Sequence, residues 1–293
     1  MNNTRNGIWL MVAATFIFAV QDGISMHLTT HYNVWMVVMI RYWFFAAFVM
    51  AISARQAGGL RNAACTRQPL LQMFRGMLLA AEICVAITSF VYLGLVQAVA
   101  IFICYPLLVA ALSGPVLGES VGWRRWAAIG IGFIGVIIIL QPGFGVFQMA
   151  GFLALASALM FALYALLTRY AARQDSAITS FFWTGVTGCV VMTIAGITQW
   201  QAMLPQDWGW MAVLCMSGAL GHFLLIKCYE QAEASAVQPF AYLHLVFSSF
   251  LGILVFNEAI HTNVAIGACI VVTAGLFTLW RERLADQQGA PAA

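Results

Sequence analysis

Residues 95–117 read LVQAVAIFICYPLLVAALSGPVL, a run of apolar and small residues without one charged side chain. An α-helix rises about 1.5 Å per residue, so a run of this length can cross the ~30 Å hydrocarbon core of a bilayer. The stretch therefore predicts a membrane-spanning helix.

The rest of the chain repeats this pattern. Of its 293 residues, 63% are hydrophobic and 8% are charged, whereas about a quarter of the residues of an average soluble domain are charged. This composition excludes a water-soluble globule and leaves no room for a sizeable extramembrane domain. We predict an all-α integral membrane protein with ten transmembrane helices, at about 7–27, 34–54, 73–93, 95–117, 123–140, 149–170, 178–200, 208–229, 234–256 and 261–281.

Cofactor and metal motifs are not expected. Most of the seven cysteines lie inside the apolar runs without a Cys-x-x-Cys pair, which indicates neither a disulfide framework nor a zinc site. The glycines of residues 130–135 have the Gly-x-Gly-x-x-Gly spacing of a dinucleotide site, but inside a span they predict close helix packing. A phosphate-binding loop is missing from the sequence, so ATP hydrolysis by this chain is not expected. The net charge of +3 fits a topology signal and does not imply nucleic acid.

Lysine and arginine residues predict the orientation. When the amino terminus is placed in the cytoplasm, twelve of the thirteen lie on the cytoplasmic side or at that membrane edge, and the exception, Arg41, lies inside the second span. Short loops rich in these residues stay cytoplasmic. We expect a multi-pass inner-membrane protein with both termini in the cytoplasm.

Two short matches indicate an internal repeat. Residues 13–19 align with 156–162, and Leu117-Gly118-Glu119 aligns with Phe256-Asn257-Glu258, at shifts of 143 and 139 positions. Each glutamate closes the fourth helix of a five-helix unit. Since five is odd, the second unit enters the membrane inverted, as in many secondary transporters. The alternative is that apolar segments align by composition alone.

The repeat predicts the domain division. We expect a first five-helix unit at 1–145, an inverted unit at 146–283 and a disordered cytoplasmic tail at 284–293.

These features together resemble the EamA-type members of the drug/metabolite transporter superfamily. The resemblance rests on the two five-helix units, the Phe-Ala of each first helix, the glutamates that end the fourth helices, and the glycines of the fifth helices. It implies a carrier for small metabolites, often an exporter of amino acids, with a central cavity lined by helices one to four of each unit. Many relatives have Trp-Gly and a later lysine in the first helix. Here the run is Phe18-Ala19-Val20-Gln21-Asp22, so the substrate class stays open.

Four ionisable residues lie within the predicted spans: Asp22, Arg41, Glu82 and His222. Charged groups at membrane depth are unfavourable and usually line a pathway or a proton relay, although each could also be a structural polar contact between helices. Asp22 and Arg41 share a depth of ~10 Å below the outer surface and are expected to pair, as a fixed ion pair, a gate or an anchor for a zwitterion. Glu82 and His222 are candidates for carrying a coupling proton, and Arg75 shares a helix face with Glu82.

Polar aromatic residues near the membrane centre are the candidates for the solute pocket. Tyr105, Tyr164 and Tyr242 need hydrogen-bond partners at that depth, although each could simply pack in the core. Gln238 and Tyr242 share a helix face that we expect to line the pocket, and His244 is expected to support it from behind.

We expect a secondary active transporter that works by alternating access, with proton-coupled export of an amino acid or related compound as the leading function. Uptake of a vitamin-like or aromatic metabolite is the alternative within transport. An intramembrane enzyme is the alternative from another class, but a suitable serine–histidine or paired-aspartate motif is missing. The expected partners are a small-molecule solute, the lipid bilayer and a proton, and a homodimer is left open.

Overall fold

A computed structural model describes residues 4–55, 58–118, 122–140, 149–231, 237 and 240–287, and within these ranges it contains helices and no strand. The helices are α1 (Thr4–Thr29), α2 (Val34–Ala54), α3 (Gly59–Ala64), α4 (Pro69–Leu93), α5 (Leu95–Phe102), α6 (Tyr105–Leu117), α7 (Trp123–Leu140), α8 (Met149–Ala171), α9 (Ala177–Gly196), α10 (Asp207–Gln231), α11 (Leu243–Phe256) and α12 (Thr262–Gln287).

Seven helical segments in the described part of the chain are long and apolar enough to cross a membrane. They are Arg5–Thr29, Val34–Ala54, Pro69–Leu93, Leu95–Leu117, Ala150–Ala171, Ala177–Gln199 and Asp207–Leu225. Shorter apolar helices lie at Trp126–Leu140, Leu243–Phe256 and Thr262–Phe277. The prediction of an all-α membrane protein is confirmed. The last helix runs to Gln287, into the segment expected as a disordered tail, and residues 288–293 lie outside the described ranges.

The span quoted at the outset is two helices. Helix α5 ends at Phe102 and α6 begins at Tyr105, with a turn at Ile103 and Cys104. Pro106 follows the turn, and because proline has no backbone N–H it is well placed in the first turn of α6. Helix α11 likewise begins at Leu243, inside the span predicted at 234–256. Tyr105 and His244, which are 139 positions apart, are thus the first residue of α6 and the second residue of α11.

The repeated glutamates follow helix ends of one kind. Gly118 (φ 76°) directly follows α6 and Asn257 (φ 52°) directly follows α11, both in the left-handed conformation that commonly stops a helix. After Asn257, the Glu258 carboxylate accepts hydrogen bonds from the backbone N–H groups of Leu95 (2.7 Å) and Val96 (2.8 Å). This carboxylate therefore caps α5 and joins its start to the end of α11. Glu119 lies outside the described residues.

The helices pack in pairs that match across the two halves of the chain. Helix α1 packs on α10 and α4 packs on α8, while α2 packs on α9 and α7 on α12. In the last pair, a Cβ atom at Gly135 would lie 2.7 Å from the carbonyl oxygen of Gly267. Gly132 and Gly135 therefore serve the close packing predicted for the glycine run, whereas Gly130 has no neighbouring atom within 4 Å of an added Cβ atom.

Candidate functional site

Ionisable side chains from five helices, all buried except the partly buried Asp22, converge between the two halves of the chain. We call them the central polar cluster: Asp22 of α1, Arg41 of α2, Glu82 of α4, His222 of α10 and His244 of α11. Arg41 and Glu82 are each 4% exposed, His222 is 7% exposed and His244 is 8% exposed. Asp22 and Glu82 both interact electrostatically with Arg41, as does His222. The residues that hydropathy singled out are thus brought together in space.

Asp22 pairs with His244. Its Oδ2 atom lies 3.0 Å from Nε2 of His244, which joins α1 to α11. The sequence predicted a pair between Asp22 and Arg41 instead, and the described residues form neither a hydrogen bond nor an ion pair between those two. An equal depth of two residues on separate helices does not determine which side chains meet. Here the start of α11 places the His244 imidazole beside the Asp22 carboxylate.

Arg41 is buried without a fixed partner. Its guanidinium makes no hydrogen bond or ion pair with any residue that the structure describes. It packs against α10 where Gly218 leaves room, since a Cβ atom there would lie 2.8 Å from Nε of Arg41. The Oε1 atom of Gln21 lies 3.3 Å from the position of that added Cβ atom, and this oxygen is also buried without a partner among the described residues.

Glu82 has one fixed hydrogen bond. Its Oε1 atom accepts a hydrogen bond of 2.7 Å from the Ser157 hydroxyl, which links α4 to α8. Its second carboxylate oxygen accepts none from the described residues. Ser157 lies inside residues 156–162, the match that indicated the repeat, and only this position could have drawn attention to it.

Arg75 belongs to a different network from Glu82, although both residues lie on α4. Its guanidinium donates to the Thr168 hydroxyl (2.9 Å from Nη2) and to Gln72, and it lies 5.2 Å from the centre of the Tyr164 ring. Arg75 therefore holds α4 against α8, with Tyr164 beneath it. Arg75 was expected to support Glu82, but the described residues form no hydrogen bond or ion pair between the two side chains.

His222 is packed between aromatic rings. The Phe45 ring is stacked on it at a centroid distance of 6.0 Å, and the Phe18 ring meets it edge-on at 5.2 Å. Its ring nitrogens make no hydrogen bond with the described residues, so the contacts of the imidazole in this part of the chain are aromatic packing.

An aromatic group connects the helix break to the central polar cluster. The Phe102 ring lies 5.3 Å from Tyr105, 5.5 Å from Phe161 and 6.4 Å from His244. Tyr105 and Phe161 in turn meet edge-on at 4.9 Å, and Tyr164 lies 6.1 Å from Phe161. The structure thus places Tyr105 and Tyr164 beside the cluster, in contact through these rings.

Tyr242 and His244 differ from their expected orientations, in which Tyr242 lines the pocket and His244 supports it from behind. The Tyr242 hydroxyl is directed at Gly275 of α12, where it is buried without a partner among the described residues, and His244 reaches Asp22. The assignment assumed one continuous helix, but α11 begins at Leu243, so the periodicity cannot be carried across that start. Gln238 lies outside the described residues.

Polar contacts between loops and helix starts lie at the two ends of the helix bundle. At one end, the Tyr32 hydroxyl donates to Asp207 (2.6 Å) and accepts from the Leu204 N–H (3.0 Å). The hydrogen bond to Asp207 raises the pKa of Tyr32. The sequence offered only a weak signal for this contact, an acidic residue in the first turn of α10.

At the other end, Asp175 accepts hydrogen bonds from the Thr66 hydroxyl (2.5 Å), the Arg67 N–H (3.1 Å) and Gln72 (2.8 Å). Partial burial raises the pKa of Asp175, but these hydrogen bonds outweigh it and the pKa is lowered overall. The two contacts correspond in the repeat. Each joins the loop after the first helix of one unit to the third helix of the other unit or to the loop before it.

One cavity lies away from this site. It has a volume of about 690 Å³ and lies between α7 and α12, with lining residues that include Ala127, Ile131, Ile270 and Phe277. These side chains offer no charge to a polar solute. The central polar cluster is therefore the better candidate for the functional site.

Comparison with known proteins identifies the family. The model of the "EamA-like transporter family" matches this chain twice, at residues 5–141 and 148–280. A solved crystal structure with 16% sequence identity has a TM-score of 0.66 over 95% of this chain and 98% of its own, which shows a shared fold.

Curated relatives align over nearly the whole chain. The "S-adenosylmethionine uptake transporter" of Rickettsia prowazekii (strain Madrid E) is 26% identical over 95% of this chain and 94% of its own. Its counterpart from Rickettsia bellii (strain RML369-C) is 28% identical over 95% of both chains. The "Riboflavin transporter" of Vibrio cholerae serotype O1 is 26% identical over 95% of this chain and 94% of its own. This chain belongs to the EamA-like transporter family.

Proposed function

We propose that this protein is a secondary transporter that takes up a small heteroaromatic metabolite across the bacterial inner membrane by alternating access. One observation carries the proposal: the buried charges of the central polar cluster meet where α11 begins and beside the break between α5 and α6. Discontinuous helices at mid-membrane, with polar groups beside them, are typical of transporter solute sites.

We propose ten spans arranged as two inverted five-helix units, divided near residue 145, with both termini in the cytoplasm. The matched helix pairs support this arrangement, since exchanging the two halves converts α1 on α10 into α8 on α4. The left-handed helix ends at Gly118 and Asn257, 139 positions apart, support the same relation. The sorting of lysine and arginine residues supports the orientation.

We favour uptake over export because the Rickettsia relatives are named as uptake transporters of S-adenosylmethionine. S-adenosylmethionine and riboflavin both carry a fused heteroaromatic ring system and polar groups. The rings of Phe102, Tyr105 and Phe161 beside the charged cluster would suit such a solute, because aromatic faces stack on flat heterocycles.

The residue roles follow from the contacts. Arg41, Asp22, Tyr105 and Tyr164 are proposed to face the solute. A proton is proposed as the coupling ion, carried by a titratable member of the cluster such as Glu82 or His222, with the Asp22–His244 pair as a further candidate. No catalytic residue is proposed, because the function requires movement of a solute and no bond cleavage.

Counterflow in proteoliposomes tests the function. Purified protein is reconstituted, loaded with unlabelled solute and exposed to labelled S-adenosylmethionine, riboflavin or an amino-acid mixture. We expect label to accumulate for at least one heteroaromatic solute and the imposed pH gradient to alter its net uptake. Absence of counterflow for both heteroaromatic solutes, with counterflow of simple amino acids, would contradict the proposal.

A further inference from the structure

Arg41 is the charge in the central polar cluster that the described residues leave unmatched. Asp22 has His244 at 3.0 Å and Glu82 has Ser157 at 2.7 Å. The guanidinium of Arg41, only 4% exposed, carries five N–H donors and uses none of them on the described residues. A buried cation is energetically unfavourable unless an anion or a hydrogen-bond acceptor pairs with it.

The described surroundings of Arg41 pack closely against it without supplying a hydrogen-bonded partner. Gly218 of α10 has no side chain, and a Cβ atom added there would lie 2.8 Å from Nε of Arg41. Gln21 of α1 places a buried Oε1 atom, without a partner among the described residues, 3.3 Å from the position of that added Cβ atom. A hydrogen-bond acceptor on a solute could bind the Arg41 guanidinium. A donor next to that acceptor could bind the Gln21 Oε1 atom.

The nearby carboxylates are in electrostatic range of Arg41 but are directed to other partners. The solute is left to supply the missing anion. A carboxylate matches the planar guanidinium with two parallel hydrogen bonds, which makes it the anion that arginine binds with the best geometry. The second oxygen of Glu82 accepts no hydrogen bond from the described residues and is a counterpart for an ammonium group.

We propose that Arg41 binds the carboxylate of an α-amino acid group on the transported solute. The inference rests on the proposed uptake function and narrows it, since S-adenosylmethionine carries such a carboxylate and riboflavin carries none. Arg41 thereby selects zwitterionic amino-acid solutes with a heteroaromatic ring over neutral flavins.

The experiment combines a change in the protein with a matched change in the solute. Affinity is measured by inhibition of labelled S-adenosylmethionine counterflow for the wild type, with S-adenosylmethionine, its carboxamide and riboflavin as inhibitors. Loss of the carboxylate should weaken inhibition about 10- to 100-fold, the range of one charge-assisted hydrogen-bonded pair. Equal inhibition by the acid and the carboxamide would overturn the inference while the uptake function stood.

Three variants complete the test, each assayed by direct binding to the purified protein. Arg41→Gln should bind the acid as weakly as the carboxamide and should leave carboxamide binding unchanged, whereas a merely structural arginine would affect both equally. Gly218→Ala keeps every charge but crowds Nε, and it should also reduce the preference for the acid. Arg55→Gln, which removes an exposed arginine from the end of the same helix, should keep the preference. Wild-type protein that binds none of the three compounds would refute the proposed function itself.

Discussion

At the residue scale, the two carboxylates of the central polar cluster have hydrogen-bond partners on other helices. Asp22 depends on His244 across α1 and α11, and Glu82 depends on Ser157 across α4 and α8. Since each pair joins the two halves of the chain, each is placed to respond to relative movement of those halves. Removal of one partner leaves a carboxylate in a site that offers little water.

Replacement of His244 should destabilise the protein according to whether the new side chain can donate a hydrogen bond. His244→Leu leaves Asp22 without its partner, and we expect a loss of about 1–3 kcal/mol, the range for a buried polar group without a hydrogen bond. His244→Gln retains a donor and should lose less. Thermal unfolding in detergent measures both, with His261→Leu, at an exposed histidine, as the control. Equal midpoints for His244→Leu and wild type would contradict the role of this pair.

Glu82 is the clearest test of proton coupling. Glu82→Gln keeps the size of the side chain and an acceptor for Ser157 but cannot release a proton. We expect solute exchange to continue in proteoliposomes while accumulation driven by a pH gradient is lost. Ser157→Ala keeps the carboxylate and should retain gradient-driven accumulation. Gradient-driven accumulation at the wild-type rate in Glu82→Gln would assign the proton to another group.

At the element scale, the fourth span of each unit is defined by where its helix starts and stops. Gly94 (φ 81°) precedes α5, and a Cβ atom there would lie 3.0 Å from Glu258 Oε1. The glycine is therefore required twice, by the left-handed backbone and by the close carboxylate. The Glu258 cap holds the end of α11 against the start of α5, which fixes the two broken spans relative to each other.

Gly94→Ala should destabilise the protein by about 1–3 kcal/mol, because alanine is strained at this φ, and the Cβ atom also crowds the Glu258 cap. Gly130→Ala is the matched control, since Gly130 is helical and has no neighbouring atom within 4 Å of an added Cβ atom. It should be neutral or slightly stabilising. The thermal midpoints of the two variants are compared, and similar midpoints would contradict the requirement at Gly94.

The elements also explain which parts of the site could be predicted from the sequence. Arg41 and Glu82 stand out because a charge inside an apolar run is visible in one dimension, and the glycine and asparagine before the repeated glutamates are typical helix ends. The partners of Asp22 and the orientation of Tyr242 were not predictable in this way. Both depend on where α11 begins, and a periodicity of 3.6 residues cannot be extended past a helix start that hydropathy does not reveal.

At the scale of the whole molecule, polar contacts join the two halves of the chain at both ends of the helix bundle. Tyr32 and Asp207 form the contact at one end, and Asp175 with Thr66 and Gln72 forms the contact at the other. The proposed alternating access would require these contacts to open in turn. Each consists of a few hydrogen bonds between a loop and the start of a helix or the loop before it.

The Asp175 contact predicts a pH dependence of stability. Because the pKa of Asp175 is lowered in the folded protein, its stabilisation is fully present above the ordinary aspartate pKa of about 4 and is lost as the pH falls through the lowered value. Thermal unfolding as a function of pH should show a smaller decline in acid for Asp175→Asn than for wild type. Thr66→Val, which removes one donor, should lie between them. An identical acid decline in Asp175→Asn would refute the contribution.

The central claim, that the solute binds beside the central polar cluster, is tested most directly by protection from thiol labelling. Tyr105→Cys and Tyr242→Cys are each made in a cysteine-free background and treated with a water-soluble thiol reagent, with and without S-adenosylmethionine. We expect solute to slow labelling at position 105, beside Phe102, and to leave labelling at position 242, which faces α12, unchanged. Unchanged labelling at 105 in a variant that still transports the solute, or protection at 242 alone, would contradict the claim.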